Sequence, residues 1–146
     1  MKVDFYHLTL SPVDRVLPRI AEKVLQTGER LLVVAAEPDR REALDKLLWS
    51  YSHVSFLPHA RAGGAHDAQQ PVLIAETVKA PNGATNIAIA DNVWREGALQ
   101  FARVFHFFDA DNIAAARDAW KSLAGREDIE RRYWQQTESG GWKQAA

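Results

Sequence analysis

The chain has 146 residues, a formal net charge of −1 and no cysteine. Its length suits one domain, spanning 1–146, and the near-balanced charge lacks the overall basic footprint of a free-standing nucleic-acid binder. The missing cysteine excludes disulfides and thiolate chemistry. The absence of a signal-peptide core or a membrane-length apolar run points to a cytoplasmic protein with no membrane contact.

Val3 to Thr9 alternates like a strand, with Val3, Phe5, His7 and Thr9 on one face and Asp4, Tyr6 and Leu8 on the other. Ser11–Pro12 reads as a helix cap and first helical residue. Val13, Val16, Leu17, Ile20, Ala21, Val24 and Leu25 then keep a helical period as far as the stop at Gly28. Pro18 interrupts it, so the helix either kinks there or becomes regular only near Leu17. Leu31 to Ala36 is an unbroken apolar run, as in a strand buried on both faces. Pro38 opens a second helix with Ala43, Leu44, Leu47 and Leu48 on its apolar face and Trp49 at its end. Strand, helix, strand, helix begins a βαβ-type open sheet.

Ser55 to Pro58 reads as a brief extended segment, and His59 to Gln70 as a polar loop. Pro71 to Glu76 and Asn86 to Asp91 read as strands, separated by a loop with the turn pair Asn82–Gly83. Arg95 to Phe101 is a candidate helix, and Val104 to Phe108 an aromatic-rich strand. Asp109 and Asp111 sit where capping acids belong, before a helix over Asn112 to Ala124.

The layout is that of a Rossmann-like α/β fold, an open and mostly parallel sheet with helices on both faces. It lacks a nucleotide-binding glycine loop. The turn after the first strand, Thr9–Leu10–Ser11–Pro12, has no glycine. Ala62–Gly63–Gly64–Ala65 matches neither dinucleotide nor P-loop spacing. His53, His59 and His66, with Asp67, have no metal-site spacing. Ser52, Ser55 and Ser139 have no nucleophile-elbow context. The expectation is a non-enzyme with no catalytic residues, metal or cofactor.

The last thirty or so residues hold three of the five tryptophans, interleaved with arginines and lysines. On a helix, Arg117, Trp120 and Lys121 share one face at i, i+3 and i+4. An aromatic flanked by two cations suits an acidic peptide with an apolar tip. The competing reading makes Trp120 a core residue, since Ile113, Ala116, Trp120 and Leu123 also recur at helical spacing, with Arg117 and Lys121 as a solvated rim.

Four segments together resemble one family. They are Val3–Asp4–Phe5–Tyr6; the run Leu44 to Trp49 followed by Ser55 to His59; the Pro71–Ile74 strand; and Ala116 to Lys121 with the ending Tyr133–Trp134 through Trp142. The chain resembles the chi subunit of bacterial DNA polymerase III, an accessory part of the clamp-loader assembly. The resemblance implies a Rossmann-like fold without nucleotide activity, and two protein contacts. One is with the acidic, apolar-ended C-terminal tail of single-stranded DNA-binding protein, through Arg117, Trp120 and Lys121. The other is with the psi subunit, through Trp49, Phe56, Leu57, Pro58 and His59, a surface a helicase could share. DNA contact is then indirect. Two alternatives stand beside it. One is a nucleotide- or small-molecule-dependent α/β enzyme. The other is a direct single-stranded nucleic-acid binder using Arg117, Lys121, Arg131 and Arg132, with Trp134 as a stacking platform.

Overall fold

A computed structural model describes residues 1–9, 12–51 and 58–146. Eight strands among them form one sheet: β1 (Lys2–His7), β2 (Leu31–Val34), β3 (His59–Arg61), β4 (Val72–Ala75), β5 (Asn86–Ile89), β6 (Arg103–Phe108), β7 (Glu130–Gln136) and β8 (Trp142–Gln144). Their order is β3-β4-β2-β5-β6-β1-β7-β8, and every pairing is parallel except β7 with β8. The open, mostly parallel α/β sheet expected from the alternation of elements is the one observed.

Helices cover both faces. α1 (Val13–Gln26) and α2 (Pro38–Ser50) pack Val16, Leu17, Ile20, Val24, Leu44 and Leu48 against one side. α3 (Ile113–Ser122) packs Ala116 and Ala119 against the other, over Val3, Phe5, Val104 and Phe108. The central strands are therefore buried on both sides, which is why β2, β4 and β5 read as unbroken apolar runs.

Several local expectations are corrected. α1 runs unbroken from Val13, with Pro18 buried inside it, so Leu17 is not its start. Ser11 lies outside the described residues, and Pro12 occupies the cap position rather than the first helical turn. Gly28 ends the helix as expected, at φ 79°. His59 to Arg61 is not loop but an edge strand, held by β4. Only Glu96–Gln100 of the candidate helix at Arg95 to Phe101 winds, as a 3₁₀ turn. Asn82–Gly83 does form the expected turn, within the crossover from β4 to β5. Gly83 takes φ 71° and the buried Asn82 amide donates to the Gln70 and Leu31 carbonyls, tying the crossover to the sheet.

Candidate functional site

β6 leads into α3 through a 3₁₀ turn capped by Asp109. Its carboxylate accepts from the Asp111 N–H at 3.0 Å and the Asn112 side chain at 3.0 Å. This is the capping role the sequence suggests for Asp109. α3 then crosses over β1 before the chain enters β7, so its inner stripe rests on Phe5 and on Tyr133, which pair across β1 and β7.

Arg117 and Lys121 point outward and are exposed. Trp120, between them, is half-buried. Its ring meets Phe5 edge-on at 5.4 Å and Tyr133 edge-on at 5.9 Å. The Arg131 guanidinium lies 4.1 Å from the Trp120 ring centroid and donates to the Trp120 carbonyl at 2.6 Å. Trp120 thus packs against the core on the α3 side, while Arg117 and Lys121 stay exposed on the same helix. The structure brings Arg131 of β7 onto Trp120, and Arg117 and Lys121 lie on the same helix three residues before it and one after. Such cation–ring stacking contributes on the order of 1 kcal/mol and fixes the indole plane.

At the carboxyl end of β1, the His7 Nδ1 lies 3.1 Å from the Tyr133 hydroxyl, beneath α3. Burial holds the His7 pKa below its ordinary value and the Arg117 charge lowers it further, against an opposing pull from Asp109. Arg117→Ala should therefore raise the His7 pKa, read from its ring resonances in an NMR titration. An unchanged value would mean that the guanidinium does not act on this ring.

The second group of sequence-predicted residues sits at the end of α2. Trp49 is 57% exposed and stacks obliquely on His59, with centroids 4.7 Å apart. His59 is buried, and its Nε2 lies 3.2 Å from both the Asp45 carbonyl and the Asp45 carboxylate. Pro58 is half-buried beside it. Phe56 and Leu57 lie outside the described residues.

The cations of the chain's last third do not share one surface. Strand alternation sends Arg131 and Tyr133 to the α3 side, and Arg132 and Trp134 to the α1 side. There they converge on Asp4, which sequence reasoning assigned only to a strand face. The Asp4 side chain is fully buried. It accepts from Arg132 at 2.7 and 3.1 Å, from Arg103 at 3.0 Å and from the Trp134 indole N–H at 2.9 Å. A lone carboxylate inside a strand buried on both faces was the available signal, since such a group requires partners.

The glycine loop is occupied by the chain itself. Asp67 accepts from the Gly63 and Gly64 N–H groups at 2.9 and 3.0 Å, so an internal carboxylate uses the donors a phosphate would need.

The family model described as DNA polymerase III chi subunit, HolC, matches residues 1–128. This chain belongs to that family. It is 32% identical to the DNA polymerase III subunit chi of Pseudomonas aeruginosa, over 69% of this chain and 82% of the relative. It is 31% identical to that of Escherichia coli, over 79% and 75%. It is 27% identical to the Probable DNA polymerase III subunit chi of Rickettsia prowazekii, over 58% and 51%, and so spans about half the length of that relative. The match covers α3 entire and stops before β7. Among the described residues no helix is long and apolar enough to cross a membrane.

Proposed function

We propose that this chain is a non-catalytic accessory subunit of DNA polymerase III. In this reading it is an adaptor that links the clamp-loader complex to the C-terminal tail of single-stranded DNA-binding protein during replication. Membership of the chi family supports the setting. The observation that carries the tail contact is the exposed pair Arg117 and Lys121 astride Trp120, on a helix stiffened by its packing on Phe5. The tail's carboxylates would pair with the two cations while its apolar end packs beside the indole. The contact is weak by design of its chemistry, because exposed ion pairs are screened by salt. Many tails on one coated strand raise the effective concentration and offset that weakness. Through the tail, contact with the coated DNA is indirect.

The second contact, with the psi subunit, is assigned to Trp49, Phe56, Leu57, Pro58 and His59. The exposed Trp49 supports it, since a large aromatic standing out of a surface is a typical binding anchor. A helicase-type partner could occupy the same surface.

A fluorescence-anisotropy titration with a peptide copying the cognate tail tests the reading. Wild type should bind saturably, and more weakly as salt rises. Arg117→Ala or Lys121→Ala should each weaken binding by about tenfold, the loss of one charge-assisted bond. Trp120→Phe is the appropriate aromatic variant, because Trp120→Ala would also open the core above Phe5. Well-folded wild type that fails to bind, or variants that bind equally well, would reject the tail site.

A further inference from the structure

A cleft of about 660 Å³ lies on the opposite side of the sheet from α3, between α1 and the β7–β8 edge. Arg15, Arg19 and Lys23 form one wall, and Arg132, Trp134 and Trp142 contribute to the floor. The tail reading uses none of these residues. Both rings come from strands beyond the segment that the family model matches.

The charge in this cleft is segregated, although the chain as a whole is nearly neutral. Arg15, Arg19 and Lys23 follow one another at four-residue steps along α1, a row about 12 Å long. Among the described residues, none of the three forms a salt bridge. Asp14 and Glu22, their acidic neighbours in sequence, do not line the cleft. The carboxylate beneath the floor, Asp4, is fully buried and shared by two arginines and an indole, so it repels little of what enters.

The floor is aromatic and held in place. Trp134 stacks on Tyr6 at 6.3 Å with planes 13° apart, and its N–H is anchored on Asp4. Trp142 meets Tyr6 edge-on at 5.0 Å. Fixed indole rings beside a row of cations offer a planar group a stacking surface and a polyanion a track. A single nucleotide is a poorer fit, because the cations are strung out rather than convergent and no glycine-rich turn cradles a phosphate. A phosphate backbone, with one charge at every unit and a planar base beside it, matches a row of spaced cations along aromatic rings more closely than an acidic peptide does.

We propose that this cleft is a binding site for single-stranded nucleic acid. Arg15, Arg19 and Lys23 follow successive phosphates, and a base rests against Trp134 and Trp142. The site is independent of the tail contact and adds a direct strand contact on the far side of the sheet.

The test is an anisotropy titration of the full chain with a fluorescent oligothymidylate across a salt series. Three phosphate contacts predict a slope of about −2 in log affinity against log salt. The double variant Arg15→Ala/Arg19→Ala should weaken binding at least tenfold and flatten the slope by about 1.4. Both side chains are exposed, so a melting curve like that of wild type is expected. Trp142→Ala should weaken binding too, whereas Arg117→Ala should leave it unchanged. Absence of saturable binding, an unchanged affinity in the double variant, or equal affinity for thymidine monophosphate would overturn the proposal.

Discussion

Asp4→Ala is expected to lower the unfolding free energy by about 3 kcal/mol, the low end of the range for breaking a buried ion pair. The carboxylate is fully buried and takes bonds from Arg103, Arg132 and the Trp134 indole. Removing it leaves the indole N–H without its acceptor and two guanidinium groups without their counter-charge. Arg103 and Arg132 side chains are 39% and 22% exposed, so they recover part of the loss by rehydration. Urea denaturation would show the midpoint shift with little change in slope. A second readout is specific to the charge. Burial, and then the Asp4 charge, push the Tyr6 hydroxyl up to about 12, so its pKa should fall in Asp4→Ala. A variant as stable as wild type would show that the arginines and Trp134 do not depend on Asp4.

Acid should destabilise the protein through His106, by an amount approaching 3 kcal/mol. This ring is 1% exposed and sits among Phe5, Trp94 and Phe108. Among the described residues, its Nδ1 has no hydrogen-bond partner. Burial lowers its pKa from 6.5 to about 4, with Asp91 opposing and Arg95 adding to the effect. The depressed value fixes the sign. Above pH 6.5 the ring is neutral in both states and costs nothing. Between 6.5 and about 4 the unfolded chain takes a proton that the folded chain refuses, so stability falls as the pH falls. An interval of that width is worth about 3 kcal/mol, at 1.36 kcal/mol per pH unit. Acid acts on other groups as well, so the difference between wild type and His106→Phe isolates the histidine. Wild type should lose more stability than the variant between pH 7 and pH 4. Parallel losses would contradict a neutral buried His106.

The fold was legible where the chain repeats a simple period. Unbroken apolar runs announced β2, β4 and β5, because both sheet faces are covered. The stripes of α1, α2 and α3 announced helices that cover them. β7 and β8 were not legible. Their polar and aromatic residues come in blocks rather than in alternation, so Arg132–Tyr133–Trp134 reads as a basic, aromatic cluster rather than as two faces. Asn82–Gly83 was legible as a turn, but not as part of a crossover. The pair encodes a positive φ, but whether the chain then returns beside its own strand is decided by β2, fifty residues earlier.

The candidate site divides in the same way. Helical spacing alone put Arg117, Trp120 and Lys121 on one face, since that relation is local. The Arg131 stack on Trp120 and the contact between His7 and Tyr133 depend on parallel pairing of β1 with β7, elements at opposite ends of the chain. No local pattern carries such a register. Asp4 lies between these cases. Its burial could be anticipated from its neighbours, but its partners at Arg103 and Arg132 could not.

The most direct test of the adaptor account is an NMR titration of isotope-labelled protein with the unlabelled tail peptide. The account predicts shift changes that saturate and cluster on α3 around Arg117, Trp120 and Lys121, extending to Arg131, Tyr133 and His7. Changes confined to the α1 cleft around Arg15, Arg19 and Trp142, or none at saturating peptide, would contradict it.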